Sequence, residues 1–437
     1  MTKCIFKKAL CFCFTLIITC SLFGCSNSDS TAQNSTSSSG DSAAASTEES
    51  GALSLITDPY GGLFRNGAAT ETGYYEIMNT QPDYINVLYT DYQTLTRTYL
   101  CSSPECLHND DTCNSWLPTM GQTYLFASQA QNKIYLVSCG VASDGTASDT
   151  AAVTGRIFEF DPSGANRRVL YQLQSNEQFS GTAAGNNTKL YTGVQVVNYE
   201  TGKMTLEIRE IDLKTGESKT IYTTENTGER IFGAYGDCLV LEELGETARS
   251  YVSLNVVSGE KSAPQYSYDY TQEVRTELVD GNFVYSLRSD ELPNCSLYQV
   301  DLTSGAEQKV AESIAIYDVD PTRISGVFDN HIEIETSDNR NPEDIKPIKY
   351  IIDTTSGTCS VSNLKYESLG TTKDIYILAQ GGDRFLVRNS VKQAPITITD
   401  QMGVPTTLEA AFPQYALISK SDYWNNAGNY QAISDTF

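Results

Sequence analysis

Three cysteines and a histidine lie within thirteen consecutive positions and could together bind a metal ion. They are Cys101, Cys106, His108 and Cys113, with the spacing C-x4-C-x-H-x4-C. Zn²⁺ prefers four thiolate or imidazole ligands in a tetrahedron, and three cysteines with one histidine are an ordinary structural set. Because four protein ligands leave no coordination position for a substrate, the pattern predicts one structural zinc ion.

Disulfide bonding is the alternative use of the same thiols, because exported proteins meet oxidising conditions. Besides Cys25, the chain after residue 24 has seven cysteines, an odd number that cannot pair completely within one chain. Disulfide pairing would leave His108 without a role, so we favour the metal and keep the disulfide as the open alternative. The four cysteines outside the cluster are expected to be small buried strand residues: Cys139, Cys238, Cys295 and Cys359.

The rest of the sequence offers no recognisable catalytic motif. His331 is the only other histidine, and it occupies a repeat position that elsewhere holds lysine, cysteine or arginine, which predicts a strand-entry residue. No G-x-S-x-G elbow, glycine-rich phosphate loop or EF-hand pattern is present. Glycoside hydrolysis needs only two carboxylates, so among 54 acidic residues a carbohydrate-active enzyme, hydrolase or lyase, stays the alternative to a non-enzymatic binding protein.

The N-terminus predicts export and lipid anchoring. Lys3, Lys7 and Lys8 precede an apolar run over residues 9–23 that is short for a bilayer-spanning helix. The ending Leu22-Phe23-Gly24-Cys25 resembles the lipobox of type II signal peptidase substrates, in which the cysteine becomes the acylated N-terminus. The resemblance implies a signal peptide over 1–24, lipidation of Cys25, and a location on the extracytoplasmic face of the cell membrane. An ordinary secretory signal or an uncleaved anchor is the alternative.

Composition divides the remainder of the chain into a tether and a body. Residues 26–51 are almost all Ser, Thr, Ala, Asn, Gly and acids, which cannot bury a core, so we expect 25–51 to be a disordered tether and 52–437 the folded domain. The signal region carries three lysines and no acid, so its removal changes the net charge from −24 to −27. Because phosphate binding needs a basic surface, we expect no nucleic-acid partner.

The body contains a repeat, which must position any functional group. A polar turn followed by an apolar strand recurs seven times at intervals of 44 to 59 residues. The seven copies are 72–75, 131–134, 187–190, 236–239, 281–283, 330–332 and 383–385. A second marker, a strand ending in Asp or Asn and then a turn closing on Gly, follows in most copies. The second markers are 161–164, 212–216, 255–259, 301–305 and 353–357.

Units of this length with several short strands and no convincing helix are typical of β-propeller blades. We therefore predict an all-β propeller of about seven four-stranded blades, with six or eight blades or two to three sandwich domains as alternatives. The last blade should finish with residues 415–419 and 430–433. Residues 52–66 are expected to supply the strand that closes the ring.

Residues 133–137 (KIYLV) and 155–173 (GRIFEFDPSGANRRVLYQL) resemble the TolB-like and YWTD-like propeller repeats of bacterial envelope lipoproteins, many of them uncharacterised proteins of Gram-positive bacteria. The cysteine cluster is similar to a pattern in the same proteins. The resemblance implies a propeller but no particular ligand, because propellers serve as binders, scaffolds and enzymes. The sequence thus favours a non-enzymatic module, attached to the bilayer by acylated Cys25, that binds a glycan, a peptide or an envelope protein.

Overall fold

The computed structural model describes residues 51–57, 67–81, 84–103, 105–119, 121–144, 154–271, 275–399 and 405–436. The predicted signal peptide, the lipidation site Cys25 and nearly all of the predicted tether lie outside these residues. Among the described residues, no helix has both the length and the apolar character needed to cross a bilayer.

The described residues form seven antiparallel blades, which confirms the predicted seven-bladed propeller. A first strand, β1 (Ser54–Leu55), precedes them. Blade 1 contains β2 (Ala68–Ala69), β3 (Gly73–Gln81), β4 (Tyr84–Asp91), β5 (Thr96–Tyr99) and β6 (Trp116–Pro118); blade 2 contains β7 (Thr123–Ser128), β8 (Lys133–Ser138), β9 (Arg156–Phe160) and β10 (Arg168–Gln172). Blade 3 contains β11 (Glu177–Gly185), β12 (Lys189–Asn198), β13 (Lys203–Asp212) and β14 (Ser218–Thr224); blade 4 contains β15 (Arg230–Tyr235), β16 (Cys238–Leu244), β17 (Ala248–Asn255) and β18 (Tyr266–Asp269).

The second half of the ring repeats the same order. Blade 5 contains β19 (Arg275–Asp280), β20 (Phe283–Glu291), β21 (Asn294–Asp301) and β22 (Glu307–Ala315); blade 6 contains β23 (Arg323–Phe328), β24 (His331–Asp338), β25 (Lys346–Asp353) and β26 (Cys359–Val361). A separate hairpin, β27 (Lys365–Ser368) and β28 (Thr371–Asp374), leads to blade 7, which contains β29 (Tyr376–Gly381), β30 (Arg384–Thr399), β31 (Pro405–Ser419) and β32 (Gln431–Ala432). The short helix α1 (Lys420–Trp424) lies between the last two strands, and β33 (Ser434–Asp435) follows them.

Strand position in the blade decides which residues are buried. The inner strands β2, β7, β11, β15, β19, β23 and β29 face the central channel, and each blade packs its faces on its neighbours. In β8 every residue after Lys133 is buried, because blades cover both faces of this strand. In β13 buried and less buried residues alternate, because one face of this strand is more buried than the other.

The second sequence marker forms the turn between the third and outer strands. Asp212 is typical, because its carboxylate accepts hydrogen bonds from the backbone N–H groups of Lys214 and Thr215, each at 2.9 Å. The glycine that closes the turn has positive φ, +75° at Gly216 and +70° at Gly305. The markers are therefore hairpin turns, since such turns need Asp or Asn caps and a residue that tolerates positive φ.

Alanine replacements of Gly305 and Gly216 should lower the free energy of unfolding by different amounts, because only Gly216 lies close to another blade. At Gly305 a Cβ would meet no atom within 4 Å, so Gly305→Ala should cost only the backbone strain of about 1–2 kcal/mol. At Gly216 the Cβ would overlap the carbonyl oxygen of Leu170 in blade 2, so Gly216→Ala should cost roughly 1–3 kcal/mol more. Urea unfolding of both variants measures the difference, and equal costs would contradict the close approach of blades 2 and 3.

Closure of the ring differs from the expectation for the N-terminal segment. Strand β33 pairs in parallel with β5, so the C-terminal residues complete the outer edge of blade 1. Strand β1 instead pairs with the inner strand β11 of blade 3, while Leu53 is buried in the core between blades 3 and 4. The prediction that 52–66 closes the ring is therefore wrong for residues 52–57. This apolar segment pairs instead with the free edge of the inner strand β11, which lies inside the channel. The predicted last strands, 415–419 and 430–433, are confirmed by β31 and β32.

Candidate functional site

The loop that contains Cys101, Cys106, His108 and Cys113 interrupts the outer strand of blade 1. Strands β5 and β6 both pair with β4, one after the other, and the loop leaves between them. Its two ends are fixed at Val87, whose carbonyl accepts from the N–H of Leu100 at 2.9 Å and whose N–H donates to the carbonyl of Ser115 at 3.0 Å. The cluster is therefore an insertion within one blade edge.

All four predicted ligands meet at one point. The sulfur atoms of Cys101, Cys106 and Cys113 and a ring nitrogen of His108 lie within 4.8 Å of one another. A tetrahedral zinc ion with Zn–S near 2.3 Å and Zn–N near 2.0 Å separates its ligand atoms by roughly 3.5–3.8 Å. The cluster therefore needs only a small contraction around the ion, and it could hold a metal such as zinc.

His108 is held in place by its ring and by its backbone. Its Nδ1 lies 3.3 Å from the Sγ of Cys113, and the Tyr99 ring stacks on the imidazole at a centroid distance of 4.1 Å. The residue has a φ of +55°, and its carbonyl accepts a hydrogen bond from Nδ2 of buried Asn86 at 3.1 Å. Burial lowers the pKa of His108, so at neutral pH the imidazole is uncharged, the form that coordinates metal.

The surroundings of Cys106 disfavour the thiolate form of its side chain. Burial, with added repulsion from Cys113, raises the pKa of the Cys106 thiol to about 12. The backbone N–H of His108 donates to Cys106 Sγ at 3.4 Å, and the hydroxyl of Ser115 lies 3.1 Å from Cys113 Sγ. A bound divalent cation would supply the charge that favours thiolates, since metal ligation displaces the thiol protons.

Arg167 of blade 2 fastens the loop to its neighbour. Its Nη1 donates to the backbone carbonyls of Cys113 at 3.1 Å, Asn114 at 3.2 Å and Trp116, and its Nη2 donates to the carbonyl of Asp111 at 3.3 Å. The contact joins residues 54 positions apart, so the repeat pattern did not reveal it. The contact of Asn86 with His108 joins residues 22 positions apart, so the sequence did not predict it either.

Loss of this contact should weaken metal binding without removing a ligand. Arg167→Ala frees the carbonyls around Cys113, and loss of such outer contacts typically lowers metal affinity about 10- to 100-fold. Competition with a chromophoric chelator measures the change. Arg168→Ala is the matched control, because Arg168 is adjacent but pairs with Glu159, 2.9 Å away; a similar loss in both variants would contradict the specific role of Arg167.

The seven cysteines of the described residues are free thiols in the structure, and three of them belong to the cluster. Those outside the cluster lie in separate blades, with Cys139 and Cys295 buried and Cys238 and Cys359 partly exposed, so the expectation of small buried residues is confirmed for two of the four.

His331 lies at the start of a strand, as the sequence predicts. His331 is the first residue of β24, and its ring stacks on Trp424 at a centroid distance of 4.1 Å. The predicted strand-entry role is confirmed.

A cavity of about 610 Å³ lies at one mouth of the central channel. Its walls are the N-terminal segment 52–57 and the ends of the inner strands of blades 4, 5 and 6. Most of the lining residues are apolar or glycine, and Asp280 is the one carboxylate among those described. Sequence analysis missed Asp280, although aligning the repeats would have shown it: the other inner strands end in Ala69, Ser128, Gly185, Tyr235, Phe328 and Gly381.

Comparison with known proteins identifies no family for this chain. The sequence matches no protein-family model and no curated protein. Among solved structures, it is similar to an oligogalacturonate lyase in complex with manganese, with 16% identity, 75% of this chain and 83% of that chain covered, and a TM-score of 0.43. It is also similar to TolB from Acinetobacter baumannii, with 13% identity, 78% and 81% covered, and a TM-score of 0.31.

A puromycin-hydrolyzing peptidase of Mycobacterium tuberculosis is similar as well, with 10% identity, 87% of this chain covered and a TM-score of 0.47. The chain spans 56% of that peptidase. At such identities the likeness concerns the propeller fold alone, which binding proteins and enzymes share. The propeller that the resemblance implies is shown by the blades themselves.

Proposed function

We propose that this protein is a non-enzymatic, membrane-anchored module that binds a glycan, a peptide or an envelope protein at the mouth or rim of the channel, where the cavity lies. The composition of that cavity carries the proposal. Its volume of about 610 Å³ is in the range of small-ligand pockets, and its lining is largely apolar with few polar groups. Glycoside hydrolysis requires a pair of carboxylates, and among the described lining residues Asp280 stands alone.

Incubation of the purified protein with poly- and oligosaccharides and with peptides tests the absence of turnover. We expect binding without product, measured by calorimetry and by chromatography of the mixture. Release of any cleaved product, lost on replacement of a lining residue, would contradict the proposal and favour the carbohydrate-active alternative.

The Cys101, Cys106, His108 and Cys113 cluster is proposed to hold one structural zinc. Four protein ligands complete the tetrahedron, so the ion would bring the two ends of the loop together and offer no position to a substrate. Native mass spectrometry of protein purified without reductant or chelator should show a mass gain of one zinc ion. A mass lowered only by the hydrogens lost to disulfides would contradict it.

Anchoring is proposed from the lipobox-like sequence at Gly24-Cys25 and the basic and apolar residues before it. Two or three acyl chains would hold the protein stably at the extracytoplasmic membrane face, at about 0.8 kcal/mol per buried methylene. Cys25→Ser should abolish the incorporation of labelled palmitate into the protein, because the acylated thiol is then absent. Label that is still incorporated would contradict acylation at this residue.

A further inference from the structure

The N-terminal segment 52–57 shows how the channel binds an extended chain. Its strand β1 runs antiparallel to the inner strand β11 of blade 3. The N–H of Ile56 donates to the carbonyl of Ala183 at 2.9 Å, and the N–H of Ala183 donates to the hydroxyl oxygen of Thr57 at 2.9 Å. The segment is therefore held by the channel edge of an inner strand.

Leu53 anchors the segment in the crevice between two blades. Its side chain is buried in an apolar cluster with Ala184 of blade 3 and Ala234 of blade 4. Its N–H donates to the carbonyl of Gly236, in the turn after the inner strand of blade 4, at 2.9 Å. Leu55, two residues later, packs against the same cluster. The channel thus binds both the backbone of this segment and its alternate apolar side chains.

The inner strands of blades 5 and 6 offer the same two features. In the part of the chain that the structure describes, β19 pairs only with β20 and β23 only with β24, so their channel edges have no strand partner. The ends of both strands line the cavity of about 610 Å³. Leu278 of β19 and Val327 of β23 line it too, and both are partly buried against the apolar cluster between blades 5 and 6. This crevice corresponds to the one that Leu53 fills between blades 3 and 4.

We propose that the channel cavity binds an extended peptide, which adds as a strand to the inner edge of β19 and inserts an apolar side chain between blades 5 and 6. This inference rests on the proposed binding function and specifies a peptide as the ligand of that cavity. Backbone pairing supplies affinity in such complexes, and pockets for alternate side chains supply specificity. A glycan has no regular series of N–H and C=O groups that could pair with a strand edge.

A peptide with the sequence of residues 51–57, blocked at both ends, is the probe, because this sequence already pairs with an inner strand. Calorimetry of the full-length protein compares it with an analogue that carries N-methyl groups at the residues matching Ser54 and Ile56. Ile56 turns its N–H toward β11, and alternate residues of a strand share an edge, so methylation removes the donors of that edge and keeps every side chain. The analogue should bind at least tenfold more weakly.

A photoreactive leucine at the peptide residue that matches Leu53 locates the bound peptide. Mass spectrometry of the digested protein should find crosslinks to residues 278–281 or 326–328, which line the cavity. Neither this measurement nor the methylated analogue requires a substitution in the protein.

Val327→Asp should raise the Kd of the peptide at least tenfold, because it places a carboxylate in the apolar crevice. Val361→Asp is the matched control, since Val361 is 47% exposed at the end of the outer strand of the same blade. This control should change the Kd less than twofold.

Equal affinity for the peptide and its methylated analogue would overturn the proposal. Crosslinks confined to residues 183–185 of β11 would also overturn it, because the peptide would then have displaced β1 and left the cavity empty. Absence of peptide binding to the folded protein would have the same consequence, whereas a glycan that bound at the channel mouth would leave the proposed function intact.

Discussion

Cys113→Ser should abolish zinc binding and release the loop that the cluster closes. Cys113 is fully buried, and its sulfur lies 3.3 Å from His108 Nδ1, so a serine hydroxyl would leave a three-ligand site with a poor fourth donor. Bound zinc should fall from one ion to less than about 0.1 per chain. At a zinc concentration 1,000-fold above Kd, the lost stabilisation should be about 4 kcal/mol.

Zinc content by elemental analysis and amide exchange over residues 101–115 measure the two effects. The wild-type protein treated with a strong chelator should show the same fast exchange, because ligand loss and metal loss have the same structural result. Cys139→Ser is the matched control: Cys139 is buried in blade 2, away from the cluster, so this variant should keep its zinc. Full zinc content in Cys113→Ser would show that the four residues do not form the site.

Arg97→Met should destabilise the seam that joins the first and last blades. Arg97 is fully buried in blade 1; its Nε donates to Glu76 at 2.7 Å, and its Nη1 donates to the carbonyl of Pro413 at 3.1 Å and to Asp435 at 3.3 Å. The guanidinium also lies 4.1 Å from the centroid of the Tyr415 ring. Through this one side chain, blade 1, blade 7 and the C-terminal strand β33 are connected.

Removal of Arg97 would leave the carboxylate of Glu76 buried with only the Tyr415 hydroxyl, which donates to it at 2.7 Å. Breaking a buried ion pair on one side typically costs about 3–5 kcal/mol, because the remaining charge has lost its partner. Urea unfolding should therefore show a much lower midpoint. A denaturant slope that stays constant would confirm that stability changes and not the extent of unfolding.

The control is an ion pair of the same kind on the surface. Lys203 and Glu225 lie 3.2 Å apart with side chains 70% and 78% exposed, so Lys203→Met should cost less than about 1 kcal/mol. Similar costs for Lys203→Met and Arg97→Met would contradict a special role of the seam. Arg97→Met combined with Glu76→Gln should recover part of the loss, since the unpaired charge is then absent.

Several features of this protein follow from sequence neighbours alone. The turns at 161–164, 212–216 and 301–305 depend on an Asp cap and a glycine a few residues later, and the other marker, a polar turn before an apolar strand, recurs seven times, so the sequence was sufficient to predict blades and their number. The sequence also predicted the cluster of Cys101, Cys106, His108 and Cys113, because donor type and short spacing are local properties.

The positions of these features depended on the tertiary structure. Ser54 pairs with Gly185, and Arg167 holds carbonyls 51 to 56 positions away. Such contacts are decided by which strand edges and polar groups stay unpaired after the blades have packed around the ring. Turn type and strand period depend on a few neighbouring residues and can be predicted from the sequence. Which segment pairs with an unpaired strand edge depends on the packing of the whole ring, so no local sequence pattern predicts it.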